Sequence, residues 1–499
     1  MDIKHQKRLN IAEESISVAI KKMDQAKYRQ RYHFMPPAYW SNDPNGFIYF
    51  KGQYHLFYQF HPFSSEWGIM HWGHAVSEDL LHWKHLPIAL APSEPYDDHP
   101  RGGVFSGSTV EYEGEMYAFY TATTNYGDGF VQTQCIAKSS DGIEFEKFAN
   151  NPIIRDVPSV GSNDFRDPKV WNHDDIWYMV LGTSKDKLGK AVLYKSSDLY
   201  NWEYVNVLAE SRGELGTMWE CPDVFKIGKK HAITFSPMHV RDRKAIYLVG
   251  DLNYKTGKLN YTSIGEVDWG FDAYAPQSTL DHKGRRVMVT WANNWDWMPW
   301  YKDFGPTFQE GWCGAMTLPR EVSLDSSDNL LTFKPVGEIE KLRTCAKNYN
   351  DIHLSSGEMK AIDAGDGISY ELILDINLKQ SNCTTINLRL RSNEEKQTMI
   401  SLNLKTCEII FDRNNADGWS QGVCHTVIRD AGNDKLQVRI FSDTSSLEIY
   451  TDGNENSGYK TVLSGNIYPD STCHGTWIES IDGDLMIDRI QTFEIMSVW

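Results

Sequence analysis

The sequence of 499 residues predicts an all-β protein with one short helix at its N-terminus. From about residue 32 onward, short runs rich in Tyr, Phe, Trp, Val and Ile alternate with Gly, Asn and Asp turns, a pattern typical of β-strands. In the first part of this region a unit of two strands and a turn recurs five times, whereas the later strands alternate apolar and polar residues. These observations predict a five-bladed β-propeller followed by a C-terminal β-sandwich.

Residues 1–31 are predicted to form an N-terminal helical extension. Apolar residues recur at intervals of three and four among Lys, Glu and Asp, which gives one stripe along an amphipathic helix. The stripe consists of Leu9, Ala12, Ile16, Ala19, Ile20 and Met23. We expect this helix to pack on its own domain rather than to bind a partner.

Residues 32–325 are predicted to form the propeller. The recurring unit occupies residues 42–60, 106–122, 166–183, 220–237 and, more weakly, 275–293. Between its copies lies a second hairpin with Ser and Asp at its turn, in residues 74–86, 136–148 and 193–205. Each full unit would then hold four strands, and the units start roughly 60 residues apart, as propeller blades do. Hairpins of this length also occur in sandwiches, so the pattern alone favours the propeller without excluding them.

After residue 325 the recurring unit is lost. We predict a linker over residues 326–344 and a β-sandwich domain over residues 345–499. Strands with clear alternation of apolar and polar residues fall at 368–379, 385–392, 398–412 and 436–453. Many such strands without helices are typical of a sandwich. This domain contains no cluster of acids, His or Cys that indicates chemistry of its own.

Composition and charge restrict the classes of partner. The 67 acidic residues outnumber the 50 basic ones, and the resulting net charge of −17 repels nucleic acid and anionic lipid surfaces. The eight Cys show no paired metal-ligand spacing, so we expect reduced thiols and no metal site. The N-terminus lacks the apolar run of a secretory signal, which favours a cytoplasmic protein.

Three of the five units begin with a carboxylate: Asp43, Asp167 and Glu220. In a propeller the starts of the units lie beside the central axis, so these three side chains are expected to face one another. Carboxylates that converge without a metal fit glycoside hydrolysis, in which one acts as acid and base and another as nucleophile or activator of water. An isolated Asp-Pro or Asn-Gly would instead be ordinary turn chemistry.

Aromatic residues support a sugar site. Several of the 17 Trp fall in polar loops near the starts of the units, namely Trp40, Trp67, Trp72, Trp219, Trp291 and Trp295. The apolar C–H faces of sugars pack on such rings, while the indole N–H can meet a hydroxyl group. Any single Trp could equally fill the core.

Taken in order, these motifs resemble glycoside hydrolase family 32, the β-fructofuranosidases. The resemblance covers almost the whole chain and rests on W-S-N-D-P-N-G (40–46), Gln59, Trp67-Gly68, F-S-G-S (105–108), F-R-D-P (165–168) and E-C-P (220–222). The chain departs from the family pattern at Ser41, at Ala273 and at Cys313. None of the three departures touches a carboxylate, so they bear on the leaving group and not on the reaction.

The resemblance implies roles for individual residues. Asp43 would be the nucleophile, Glu220 the acid and base, and Asp167 would hold fructose hydroxyls and stabilise the transition state, with Arg166 beside it. The residues implied to bind the substrate are Asn42, Gln59, Trp67, Phe105, Ser106, Arg166 and Trp291. The family carries out this reaction without a metal or cofactor.

The sequence leaves the substrate open. The implied reaction is release of terminal β-D-fructofuranosyl units from sucrose, sucrose 6-phosphate or short fructo-oligosaccharides. The alternatives are a fructan exo-hydrolase or a fructosyltransferase of the same family and, more remotely, a sugar-binding protein without activity. A phosphorylated substrate would need a cation near the pocket, for which the candidates are Arg101, Lys185, Arg212 and Arg241. The expected partner is a small sugar, and self-association through the sandwich is left open.

Overall fold

The computed structural model describes residues 2–125, 129–240, 242–295, 305–429 and 433–499. Over these residues the protein is almost entirely β, as predicted. The helices are α1 (Ile3–Ile20) and α2 (Gly305–Glu310), with short 3₁₀ helices at Met23–Gln25 and Gly337–Leu342. The long element α1 is the predicted N-terminal helix.

Helix α1 packs on its own chain, as the sequence predicts. Its buried stripe contains Leu9, Ala12, Ile16 and Ala19. Ile20 was expected in the stripe but is 44% exposed, because the helix ends there. Two polar side chains of α1 also accept hydrogen bonds from backbone N–H groups along the edge of a neighbouring strand. Glu13 accepts one from the Ile88 N–H, and His5 accepts one from the Ala91 N–H.

Sixteen strands follow in chain order and form four antiparallel sheets. The first sheet contains β1 (Tyr39–Phe50), β2 (Gln53–His61), β3 (His71–Ser77) and β4 (Trp83–Leu90), and the second β5 (Gly103–Tyr112), β6 (Glu115–Asn125), β7 (Phe130–Ser139) and β8 (Glu146–Lys147). The third contains β9 (Phe165–His173), β10 (Ile176–Lys185), β11 (Leu188–Ser196) and β12 (Glu203–Glu210), and the fourth β13 (Trp219–Ile227), β14 (Lys230–Pro237), β15 (Ile246–Asn253) and β16 (Lys258–Glu266).

A fifth group of strands is joined to the C-terminal region. It contains β17 (Tyr274–Leu280), β18 (Arg286–Trp291), β19 (Trp312–Cys313), β20 (Arg320–Asp325) and β21 (Leu330–Pro335). Strand β19 pairs in parallel with β1, whereas β17, β18, β20 and β21 form an antiparallel run. This run continues into the C-terminal region through one pair, Phe333 with Tyr459. Because β21 lies in the predicted linker, part of that segment is a paired strand.

The first strands of the five groups form a closed ring. Strand β1 contacts β5, β5 contacts β9, β9 contacts β13, β13 contacts β17, and β17 returns to β1. Four of the groups are separate sheets, but the fifth merges with a larger sheet. The all-β class and the curled arrangement are therefore observed, while the count of five blades stays a prediction.

The strands β9, β13 and β17 share an irregular start. Each has a β-bulge there, and the bulged residue adopts a positive φ: Asp167 at 67°, Cys221 at 49° and Ala275 at 52°. A bulge turns consecutive side chains toward the same region. The bulges also show that the recurring units match one another one residue away from the starts predicted from the sequence. The residue equivalent to Asp167 is Cys221, and the residue equivalent to Glu220 is Arg166.

The predicted Ser and Asp turns are built alike. In each turn the Asp carboxylate accepts hydrogen bonds from two backbone N–H groups at the tip and one from the Ser hydroxyl. The pairs are Ser77 with Asp79, Ser139 with Asp141, and Ser196 with Asp198. The fourth sheet has a comparable turn in which Asn253 accepts from Lys255 and Thr256. The sequence pattern missed this copy because Asn replaces the Asp.

The C-terminal strands form two sheets around a common core. They are β22 (Arg343–Leu354), β23 (Met359–Ala361), β24 (Tyr370–Asn377), β25 (Thr385–Ser392), β26 (Thr398–Asn403), β27 (Glu408–Asp412), β28 (Val423–Val427), β29 (Lys435–Asp443), β30 (Ser446–Asn454), β31 (Gly458–Asn466), β32 (Gly475–Ile481) and β33 (Leu485–Ile495). One sheet has the order β31-β30-β29-β24-β33-β22 and the other β23-β32-β25-β26-β27-β28. Their inward side chains, such as Leu372 and Leu388, share one buried cluster.

A buried network of charges joins the propeller region to the sandwich. Arg320 is fully buried and donates to Asp268 and to Glu448, at 2.9 Å each. His33 donates to Asp443 at 2.8 Å and lies 3.2 Å from Glu448. Burial alone would lower the pKa of His33, but the two carboxylates raise it to about 9. Removing one partner of such a network leaves an uncompensated buried charge, which costs about 3 to 5 kcal/mol.

Candidate active site

A cavity of about 520 Å³ lies where the ring strands begin. Its lining includes all three predicted carboxylates, which come from three different strands. The predicted residues that line it are Asn42, Asp43, Gln59, Trp67, Phe105, Ser106, Arg166, Asp167 and Glu220. The structure thus brings together side chains that are far apart in the sequence.

Asp43 lies at the bulged start of β1 and is only 9% exposed. Its Oδ2 accepts hydrogen bonds from the Ser106 hydroxyl at 2.8 Å and from the Cys221 thiol at 3.4 Å. Its Oδ1 has no hydrogen-bond partner among the described residues. Burial and the nearby charge of Glu220 raise the pKa of Asp43. One carboxylate oxygen is therefore fixed by hydrogen bonds, and the other is buried without a partner among the described residues.

Glu220 is held by two neighbours at equivalent bulge positions. Arg166 donates from Nε and Nη2 to Glu220 Oε1, at 3.1 and 2.9 Å. Tyr274 donates from its hydroxyl to Oε2 at 2.5 Å. The Glu220 side chain is 16% exposed, so it lies nearer to the opening of the cavity than Asp43 does. Both carboxylate oxygens are thus oriented by the protein.

Asp167 lies near two residues that also contact the other two carboxylates. Its Oδ2 accepts a hydrogen bond from the Cys221 N–H at 2.9 Å and lies 3.6 Å from the Cys221 thiol, which also contacts Asp43. Arg166 lies 4.0 Å from Asp167, so its shorter contacts are those to Glu220. Burial and the charges of Glu220 and Asp43 raise the pKa of Asp167 to about 7, although Arg166 opposes the shift.

Trp291 is the one predicted binding residue that does not line the cavity. It is fully buried and packs on Trp295, with ring centroids 4.8 Å apart. Trp295 lines the cavity and stacks on Trp40. Beside the predicted Trp67 and Phe105, the indole that lines the cavity is therefore Trp295, four residues further along the chain than Trp291.

Sequence reasoning missed several residues of the cavity lining. They are Thr123, Phe130, Gln132, Asp164, Pro237, Met238, His239, Arg243, Lys244, Tyr274 and Asn294. Tyr274 could have been found, since it lies one residue before the bulged Ala275, as Glu220 lies one residue before the bulged Cys221. Of the candidate cations, Arg101 lines the cavity and Arg212 does not. Arg241 falls outside the described residues.

Replacement of Asp167 tests the electrostatics of the site through protein stability. The pKa of Asp167 is about 7 in the folded chain and near 3.8 when unfolded, so its ionisation destabilises the fold as the pH rises between these values. The quantity compared is the Tm of Asp167→Asn minus that of the wild type. We expect this difference to be a few degrees higher at pH 8 than at pH 5. Thermal unfolding at the two pH values measures this difference.

Asp198→Asn is the matched control for this experiment. Turn hydrogen bonds lower the pKa of Asp198 to about 2, so its stabilising effect is complete above about pH 4 and is lost only as the pH falls toward 2. The control should therefore lose the same stability at pH 5 and at pH 8. An Asp167→Asn variant whose Tm difference from wild type is equal at both pH values would contradict the raised pKa.

Among the described residues, no group of three or more His, Cys, Asp or Glu could hold a metal ion. None of the helices found there is long and apolar enough to cross a membrane.

The similarity to known proteins extends over nearly the whole chain. The family model described as glycosyl hydrolases family 32 N-terminal domain matches residues 33–335, and the family 32 C-terminal model matches residues 338–497. A sucrose-6-phosphate hydrolase of Zymomonas mobilis is 34% identical, over 98% of this chain and 96% of its own length. A raffinose invertase of Escherichia coli is 35% identical, over 91% of this chain and 93% of its own.

A solved structure shows the same architecture. A mutant of the Bombyx mori GH32 β-fructofuranosidase in complex with sucrose is 32% identical, with a TM-score of 0.82 and 98% of each chain covered. The sucrose-6-phosphate hydrolase of Lactobacillus gasseri is 25% identical, with a TM-score of 0.84 over 98% of this chain and 97% of its own. With both family models matched in order and the carboxylates in one cavity, this chain belongs to glycosyl hydrolase family 32 and is a glycoside hydrolase.

Proposed function

We propose that the protein is a retaining β-fructofuranosidase, with Asp43 as nucleophile, Glu220 as acid and base, and Asp167 as stabiliser of the transition state. One observation carries the proposal: the three carboxylates line a single cavity and are held in different ways. Asp43 is deep and fixed through one oxygen, whereas Glu220 lies nearer to the opening. A nucleophile at the base and a proton donor toward the leaving group fit a double displacement.

In the first step a carboxylate oxygen of Asp43 attacks the anomeric C2 of the terminal fructosyl unit. Glu220 gives its proton to the glycosidic oxygen as the bond from C2 to that oxygen breaks. The products are a fructosyl ester on Asp43 and the free leaving group. Ser106 and Cys221 hold the attacking carboxylate in place through Oδ2.

In the second step Glu220, now ionised, takes a proton from a water molecule. The water oxygen attacks C2, the ester bond breaks and the Asp43 carboxylate is restored. Two inversions at C2 give net retention of configuration. Arg166 and Tyr274 orient Glu220 for both steps, and their donors stabilise it when it is ionised.

The fructosyl ring is proposed to bind among the polar and aromatic residues at the base of the cavity. Gln59 and Ser106 are fixed by the protein, Gln59 through the Val104 carbonyl and Ser106 through Asp43. Trp67 and Phe105 meet edge to face at 6.3 Å and form an apolar wall. Asn42, whose oxygen accepts from the Trp40 indole, completes the set. Fixed donors and apolar rings of this kind are typical of sugar sites.

The cavity also supports a phosphorylated leaving group. Arg101, Arg243 and Lys244 line it, and Arg243 pairs with Glu266. Cations of this kind bind phosphate through charge-assisted hydrogen bonds. We therefore propose sucrose 6-phosphate as the preferred substrate, with sucrose and short fructo-oligosaccharides also accepted. Two relatives named as sucrose-6-phosphate hydrolases support this choice.

The remaining predictions are kept as proposals. The ring of contacting strands β1, β5, β9, β13 and β17 supports five blades, with the fifth continuing into the sandwich sheet. The domain boundaries at residues 31, 325 and 344, the cytoplasmic location and self-association through the sandwich stay predictions. Fructan hydrolysis and fructosyl transfer remain the alternatives, and the presence of both Asp43 and Glu220 argues against a binding protein.

The proposed function is tested with four substrates. The purified protein is incubated separately with sucrose, sucrose 6-phosphate, 1-kestose and inulin, and fructose and the partner product are measured over time. We expect the highest kcat/KM for sucrose 6-phosphate, and proton NMR of the first fructose released should show retention.

Each other outcome has a defined meaning. A clear preference for inulin would identify a fructan exo-hydrolase, and kestose formed from sucrose would identify a transferase. Early product of inverted configuration would reject the double displacement. Absence of fructose from all four substrates, with a folded protein, would leave the sugar-binding alternative.

A further inference from the structure

Met238 is the only methionine among the described residues that line the active-site cavity. It follows strand β14, and its side chain is half-buried. Its backbone is fixed on both sides, because its N–H donates to the Met218 carbonyl at 2.8 Å and its carbonyl accepts from the Thr217 N–H at 3.1 Å. The thioether is therefore held on the wall of a cavity that small molecules can enter. Neither step of the proposed reaction uses it.

The Sδ atom of Met238 contacts Arg166, which orients Glu220. The distance from Arg166 Nη2 to Sδ is 3.4 Å. The other contacts of the guanidinium are to oxygen atoms: Nε and Nη2 donate to Glu220, and Nη1 donates to Gln132 and Asp164. The five N–H groups thus meet five acceptors, of which the thioether sulfur is the weakest. A stronger acceptor at Sδ would compete with Glu220 for the same Nη2.

Oxidation of the thioether creates such an acceptor. Hydroperoxides convert methionine to its sulfoxide, which is polar. A lone pair of Sδ attacks one oxygen of hydrogen peroxide, and the S–O bond forms as the O–O bond breaks. The proton on the transferred oxygen passes to the departing hydroxide, which leaves as water. Sulfur loses two electrons and the peroxide gains them. The new oxygen projects from an atom that already contacts Arg166 Nη2.

The surroundings of the other sulfur atoms make Met238 the selective site. Cys221 is buried, and burial raises the pKa of its thiol well above the usual value, so the reactive thiolate does not form. Met218 is also buried. Met359 and Met496 are exposed, but they belong to the sandwich and do not line the cavity. Among the described residues, Met238 therefore combines access from the cavity with contact to the group that holds Glu220.

We propose that Met238 is a modification site, at which oxidation by a hydroperoxide slows hydrolysis by drawing Arg166 away from Glu220. The proposal rests on the proposed function, in which Glu220 is the acid and base. Oxidation leaves Asp43 untouched, so the loss should fall on proton transfer. Because sulfoxide reductases return methionine sulfoxide to methionine, the loss should also be reversible.

The test treats the wild type, Met238→Leu and the matched control Met496→Leu with hydrogen peroxide. Leucine has a similar volume but no sulfur. The activity of each enzyme on sucrose is divided by its own activity before treatment. We expect the wild type and Met496→Leu to lose about 10-fold or more, as for a weakened hydrogen bond to a charged group, whereas Met238→Leu should keep most of its activity.

The chemistry of the loss is checked on the treated wild type. Mass spectrometry of its peptides should find the added oxygen on Met238. Methionine sulfoxide reductases A and B, which act on the two sulfoxide epimers, should together restore activity. Equal inactivation of Met238→Leu, or full activity of an enzyme oxidised at Met238, would overturn the proposal.

A second measurement distinguishes action through Arg166 from obstruction of the cavity. An aryl fructoside with an acidic phenol needs no proton from Glu220, so its first turnover should slow less than sucrose hydrolysis in the oxidised enzyme. Equal slowing of both would overturn the route through Arg166. Failure of the untreated wild type to release fructose would instead refute the proposed function.

Discussion

The Asp43→Asn variant is expected to lose nearly all activity while keeping its fold. Asparagine has the shape of aspartate but cannot form the fructosyl ester, so kcat should fall by about 10⁴-fold or more, as for other essential nucleophiles. Because Asp43 carries a raised pKa from burial, the neutral residue should not destabilise the chain. Hydrolysis of the preferred substrate and thermal unfolding measure the two properties.

Ser106→Ala serves as the graded comparison for Asp43. It removes the hydrogen bond to Oδ2 together with a hydroxyl proposed to bind fructose, so the carboxylate stays but is less well oriented. We expect a loss of about 10-fold to 100-fold, corresponding to one hydrogen bond to a charged group. If Asp43→Asn retained more activity than Ser106→Ala, the nucleophile would have to be another residue.

Glu220→Gln is expected to slow the two steps to different degrees, depending on the leaving group. Glutamine cannot protonate the glycosidic oxygen, so sucrose hydrolysis should fall by about 10² to 10⁴-fold. An aryl fructoside with an acidic phenol needs no proton, and its first step should be nearly unaffected. Because glutamine also cannot activate water, the covalent intermediate should accumulate and release a burst of phenol equal to the enzyme concentration.

Rapid-mixing measurement of phenol release tests this prediction for Glu220. Added azide, which needs no base, should speed up the steady state after the burst. Tyr274→Phe is the structural control, since it removes the neighbouring hydroxyl but leaves the acid, and it should show no burst. Equal losses on sucrose and on the aryl fructoside would remove Glu220 from the acid role.

Local features of the fold were predictable because they depend on neighbouring residues. The Ser and Asp turns follow from side chains that bond backbone N–H groups two and three residues on, as at Asp198. The helix stripe follows from spacing alone. In contrast, the merging of the fifth strand group with the sandwich depends on Phe333 meeting Tyr459, which are far apart in the chain. No local pattern encodes that pair.

The convergence of the three carboxylates in one cavity was predictable from the sequence, but the register of their strands was not. The sequence pattern predicts equivalent positions for Glu220 and Asp167, because each begins a recurring unit with a carboxylate. The bulges show that Glu220 is instead equivalent to Arg166 and Tyr274, which explains why these two side chains bind it. A bulge is a backbone feature, and the sequence pattern does not reveal which residue it shifts. Trp291 also lies apart from the predicted place, since it is buried and packs on Trp295, which lines the cavity.

The buried ionic network between the two regions affects how this protein can be recombined with its relatives. The family models meet between residues 335 and 338, which suggests a convenient point for exchanging one half. Yet Arg320 and His33 lie before that point, and their carboxylate partners Glu448 and Asp443 lie after it. A chimaera joined there would fold stably only if the donated half carried both acids at the equivalent positions. The matching charges of the two halves, rather than the peptide connection between them, therefore require that the halves be exchanged together.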